Sequence, residues 1–230
     1  MKYLALLFYA SLLAVDPTNG KKLVFSDDFN GDTIDETKWN VAGNREVITL
    51  VKGGKDKVLR ISLKQSADML QWNSIDTRGK FEQLYGYFEA SMRVNAYKGH
   101  TSGFRISSTD EKATPNAIFL WEGVGDDKAW PWARQTNDNG QHEFRPEGTG
   151  KQFLKAGEAS KKFNTYGILW TEKSCIWYVN GKQSFKFDKS EVKKPMILRF
   201  AHSVGEWERP SLNLKQLPDD IDIDWVKVWK

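Results

Sequence analysis

The sequence predicts an all-β fold, a sandwich or jelly roll of antiparallel strands, and three observations carry that expectation. Short segments rich in β-branched and aromatic residues recur at regular spacing, separated by Gly, Asn and Asp turns. Beyond the first 15 residues no segment sustains a helical apolar period, apart from one turn near Glu158. The length, 230 residues, suits a single β domain with a sizeable core.

Residues 1–15 are one lysine followed by the apolar run LALLFYASLLAV. That run is too short to span a membrane comfortably and too apolar for a soluble tail. It reads as a secretion signal, although Leu12 and Ala14 make a poor cleavage site and no lipobox cysteine follows. Residues 16–230 then form the mature domain, secreted or periplasmic. KLVFSDDF is the first expected strand, closed by the turn NGD. EVITLVKGGKDKVLRISLKQ reads as a hairpin, and QWNSIDTRGKFE follows it. In YGYFEASMRVN, Phe88, Ala90 and Met92 alternate with Glu89, Ser91 and Arg93. TSGFRISS precedes the central strand, and residues 126–151 read as a long polar insert of the kind that carries function. FNTYGILWTEKSCIWYVNGKQSFKF is a run of strands with TEKS and NG as turns. PMILRFAHSV and DIDIDWVKVWK close the chain.

Charged residues make up 28% and hydrophobic ones 40%, a globular balance. Ten tryptophans exceed what a core needs, and the surplus suits stacking on sugar faces. The net charge of +4 is dispersed, with no basic stripe, which argues against a nucleic-acid partner. Cys175 is the lone cysteine, so no intrachain disulfide or cysteine metal cluster can form, and no two histidines have metal-ligand spacing. No second apolar run is long enough for a membrane span, so no membrane partner is expected after signal removal, and a monomer is expected.

The stretch NAIFLWEGVGDD, from Asn116 to Asp127, organises the functional reading. It reads as a buried strand running into a glycine-rich turn, with one carboxylate, Glu122, near its end. A buried carboxylate is costly unless it has a partner or a task.

Four segments, in order, resemble glycoside hydrolase family 16, the laminarinase, lichenase, agarase and carrageenase group. VFSDDFNGDTIDETKWN is similar to its opening, FEQLYGYFEASMRV to its YGxFEAR-type strand, FNTYGILWTEKSCIWYVNGK to its paired hairpin, and IDIDWVKVWK to its closing strand. The resemblance implies a concanavalin-like β-jelly roll of two curved antiparallel sheets, with a β-linked polysaccharide lying in a groove on the concave one. The family's catalytic strand reads E-I-D-I-x-E. Residues two apart share a face, and a bulge before the last Glu returns it to that face. The pair then flanks the glycosidic bond at retaining spacing. Here the matching residues are Ala117, Phe119 and Glu122, so the acid/base remains while the nucleophile and tuning Asp are replaced. The resemblance therefore implies a glycan-binding protein with impaired hydrolysis. The alternative is an active endo-glycosidase that recruits another nucleophile. DDIDIDW at 219–225 mimics the motif but occupies the closing strand, so it reads as structural.

Further candidates come from position. Trp130 and Trp132 flank Pro131 in the insert, Trp207 lies in a loop resembling a groove-edge loop, and His142 lies where members often carry a groove histidine. Arg105 stands where many members have a floor tryptophan, sharing a face with Ser107. With Arg134 it is a candidate for contacting an anionic sugar, the plain alternative being a structural salt bridge. His100 and His202 read as structural. No cofactor is required, but the resemblance implies a structural calcium at Asp224 and the Gly31 carbonyl.

Overall fold

The computed structural model describes residues 16–94, 97–109, 116–123, 154, 157–190 and 192–230, and the backbone of 132–137 and 140–144. The secretion signal expected at residues 1–15 lies outside the described residues.

In chain order the strands are β1 (Leu23–Asp27), β2 (Asn40–Val41), β3 (Ile48–Lys52), β4 (Lys57–Ser66), β5 (Met69–Gln71), β6 (Asn73–Asp76), β7 (Gly86–Arg93) and β8 (Thr101–Ser107). They continue with β9 (Ala117–Gly123), β10 (Trp132–Asn137), β11 (Gly140–Phe144), β12 (Asn164–Trp170), β13 (Cys175–Val179), β14 (Lys182–Phe187), β15 (Ile197–Ser203) and β16 (Asp219–Trp229). One short α-helix, Glu158–Lys161, stands where the sequence allowed a single turn.

Two antiparallel sheets result, a β-jelly roll. One runs β14-β13-β12-β7-β16-β4-β3, with β1 on β16 and β5 on β4. The other runs β11-β10-β9-β8-β15-β6-β2. Alternate residues of each sheet point inward, and those residues form one hydrophobic core. Phe88, Ala90 and Met92 of β7 meet Phe104 and Ile106 of β8, Ile118 and Leu120 of β9, and Leu198 and Phe200 of β15. The Phe104 and Phe200 rings stack at 4.5 Å. Cys175 is buried on β13, and burial pushes its thiol up to about 12, so it stays protonated. Trp39, Trp170 and Trp177 are core residues, while Trp225 and Trp229 are half-buried on the outer side of the first sheet.

The closing segment is the structural strand that the sequence suggested. β16 lies between β7 and β4, and its buried Asp222 accepts from Arg60 at 2.7 and 3.0 Å and from Arg93 at 2.5 Å.

One expectation is corrected. The segment 126–151 is not a plain loop, because β10 and β11 within it pair as a hairpin and add two strands beyond β9. Its composition is polar and lacks apolar alternation, so nothing in the pattern marks strands. What holds them is the main-chain ladder to β9, which any residue except proline can make.

Candidate functional site

The site is built on β9, and its register explains the site. Ala117, Ile118 and Phe119 pair with Ser107, Ile106 and Arg105 of β8. The register then shifts: Trp121 pairs with Phe104 and Glu122 with Gly103, leaving Leu120 as the extra residue of a bulge. A bulge resets which face follows. Ile118, Leu120 and Trp121 all enter the main core, whereas Ala117 and Phe119 form a separate buried cluster. Glu122, half-buried, thus returns to the face of Ala117 and Phe119.

Named contacts hold the bulge. The Trp177 indole N–H crosses the core and donates to the Phe119 carbonyl at 2.8 Å. The Trp121 ring packs on Tyr166 at 4.6 Å and its N–H reaches Ser102 Oγ at 3.3 Å. A side chain at Gly123 would begin 2.7 Å from the Trp121 indole nitrogen, so glycine is required just after Glu122.

Two rows of side chains cross the outer face of this sheet. Glu122 is opposite Gly103, which is opposite Ala201, which is opposite Ser74. The next row is Phe119, Arg105, Arg199, Asp76 and Asn40. The Arg105 guanidinium lies 5.3 Å from the Phe119 ring centroid. Arg199 donates to Ser74 Oγ at 2.9 Å. Burial lowers the Arg199 pKa, the Asp76 carboxylate opposes that, and Arg78 lowers it further. Two arginines directly opposite on neighbouring strands repel each other. Asp76 lies beside only one of them and also takes an amide N–H from Asn40 at 3.2 Å.

Arg105 therefore sits as the sequence suggested, outward and opposite in face to Phe104 and Ile106. Ala117 and Phe119 are on the expected face, and both are buried. In the register Trp132 is opposite Phe119 and Arg134 opposite Ala117, which brings both next to the central strand. His142 lies one strand further out, opposite Gln135. The side chains of these three, and all of Trp130, lie outside the described residues. Trp207 is 72% exposed. His100 and His202 are buried between the sheets with ring centroids 5.1 Å apart, away from the outer face.

The calcium donors are engaged otherwise. The Lys57 ammonium donates to the Gly31 carbonyl at 2.9 Å and to Asp32 at 3.0 Å, while Asp224 accepts from Ser91 at 3.2 Å. Both oxygens thus have protein partners in this structure.

Sequence reading missed Arg199, Trp72 and Glu208. Arg199 was findable by the signal that marks Glu122, a charge inside an apolar strand. Glu208, in the loop after β15, is buried, accepts from the Thr101 hydroxyl, and takes the Gly205 N–H at 2.8 Å.

Comparison with known proteins places the chain. The family model described as glycosyl hydrolases family 16 matches residues 35–227. A β-porphyranase E from Zobellia galactanivorans is 24% identical, over 88% of this chain and 85% of its own. An endo-1,3-1,4-beta-glycanase from Rhizobium meliloti is 24% identical over 76% of this chain and 38% of its own length. The laminarinase catalytic domain from Thermotoga maritima superposes with a TM-score of 0.72 at 20% identity, covering 91% of this chain and 98% of that one.

Proposed function

The chain belongs to glycosyl hydrolases family 16, and from that premise we propose that it binds a β-linked polysaccharide across the outer face of the seven-stranded sheet, with hydrolysis impaired or lost. The observation that carries this reading is the shared face of Ala117, Phe119 and Glu122, on which only the third bears a carboxylate. An alanine methyl cannot attack an anomeric carbon, and double displacement needs two carboxyls about 5 Å apart. Glu122 would remain as a groove residue, contacting the glycosidic region without a nucleophile across from it.

The glycan we favour is anionic, a sulfated or carboxylated galactan. Arg105 opposite Arg199 places two guanidiniums on neighbouring strands of this face. Each can grip a sulfate or carboxylate through two N–H groups, and the anion would relieve their mutual repulsion. The relative with the name porphyranase also spans most of this chain, which supports a galactan. The apolar leader at 1–15 supports export to where such polymers occur.

A second reading, hydrolysis with a recruited carboxylate, is favoured by Glu208. Its Thr101 partner lies two residues along β8 from Gly103, so the Thr101 and Glu122 Cα atoms are about 8 Å apart by strand geometry. A recruited carboxyl standing about 6.5–9.5 Å from that of Glu122 would act as a general base and invert the anomeric centre. One screen separates the readings: reducing-end release and binding over neutral and sulfated β-glycans, with wild type and Glu122→Gln side by side. Binding without turnover in both proteins is expected. Turnover abolished by Glu122→Gln would replace the first reading by the second, and product with inverted anomeric configuration would implicate Glu208.

A further inference from the structure

The row beyond Glu122 holds a feature that the reading above does not use. Thr101 pairs with Ser203, whose neighbour His202 pairs with Asn73, the residue that follows Trp72. Trp72 directly precedes β6 and is 48% exposed, an indole that neither the core nor the sheet needs. It forms one wall of a cleft of about 290 Å³, whose other walls are Asp68 and Leu70 of the β4–β5 hairpin and Gly205, Glu206 and Arg209 of the loop after β15. Trp207, in the same loop, has its indole folded against Gly205. A Cβ at Gly205 would lie 3.0 Å from Trp207 Nε1 and 3.0 Å from Glu208 Oε2.

We propose that this cleft is a further sugar-binding subsite, which takes one additional pyranose of a glycan already lying across the outer face. The inference rests on the glycan-binding reading and adds a position to it. The cleft has room for one sugar ring. Trp72 offers a flat apolar surface to the C–H face of a pyranose, while Asp68, Glu206 and Arg209 offer acceptors and donors to its hydroxyls. A protein partner is disfavoured, because a cleft of about 290 Å³ with one indole in its wall is far smaller than a stable interface requires.

The loop wall is built before any ligand arrives. Buried Glu208 takes the Thr101 hydroxyl and the Gly205 N–H, which ties the loop to the start of β8. The Arg209 N–H reaches the Gly205 carbonyl at 3.1 Å. At the far end Leu212 packs so closely on Gly99 that a Cβ there would lie 2.3 Å from its backbone. Binding therefore has little loop ordering to offset.

The test compares carrageenan and laminarin oligosaccharides of short and long chain by titration calorimetry, on wild type, Trp72→Ala and Trp72→Tyr. Wild type is expected to bind the long chains about five- to tenfold tighter than the short ones of whichever glycan it accepts, the increment of one stacking contact. Trp72→Ala should bind both lengths with the short-chain affinity, and Trp72→Tyr should restore most of the increment. An unchanged length dependence in Trp72→Ala, with short chains still bound, overturns the subsite and leaves the glycan-binding reading standing. Absence of binding to every oligosaccharide by wild type overturns both.

Discussion

The two sheets use arginine in opposite ways. On the outer side of the first sheet, Arg60 and Arg93 converge on Asp222, which is 2% exposed in its side chain, and Arg60 also meets Asp220 at 3.2 Å. The hydrogen bond to Asp222 raises the Arg60 pKa against the effect of burial. On the outer side of the second sheet, Arg105 faces Arg199, and Arg199 is held by a serine while its pKa is lowered by burial. The first arrangement completes itself within the protein. The second sets two guanidiniums opposite each other on neighbouring strands of the outer face, where we propose that an anionic group of the glycan binds.

The largest expected effect comes from behind the second sheet. His202 is fully buried, and burial, with His100 adding, holds its pKa down to about 4 against 6.5 in the unfolded chain. As pH falls the unfolded chain takes the proton first. Stability from this group is therefore full above about pH 6.5, declines as pH drops toward 4, and is level below that. The total is about 3 kcal/mol. Urea midpoints at pH 7.5 and 4.5 check it, and His202→Gln should flatten that slope. Next in size is Asp222→Asn, which leaves two arginines facing a neutral amide. Breaking a buried pair costs about 3–5 kcal/mol, and the partial exposure of both arginines reduces this to about 2 kcal/mol. Chemical denaturation should register that loss, with glycan binding unaltered.

Arg105→Gln should do the reverse. Thermal unfolding should move by no more than about 0.5 kcal/mol in equivalent stability, because the change relieves a like-charge contact as it removes the cation–π contact. The smallest effect is the absence of one. Chelation by EDTA should leave the melting temperature unchanged, because the Gly31 carbonyl already has the Lys57 ammonium.

The sequence carried the fold well, because strands are written in residue alternation and the core follows from it. The YGYFEASMRV strand and the NG hairpin are present in the structure, with Asn180 and Gly181 both at positive φ. The shared face of Glu122 with Ala117 and Phe119 was legible only through the resemblance, whose catalytic strand implies a bulge before its last glutamate. The β10–β11 hairpin was not legible, since its residues are polar and its strands exist through main-chain pairing to β9. Arg199 meeting Arg105 was invisible because their partnership spans 94 residues and depends on the register of β15 against β8.

The most direct test of the facing arginines is a titration of a sulfated galactan oligosaccharide and its desulfated counterpart, at low and high salt, on wild type and Arg105→Gln. The account predicts that wild type favours the sulfated ligand about tenfold or more, that salt erodes the preference, and that Arg105→Gln abolishes it. Equal affinity of wild type for both ligands would contradict it.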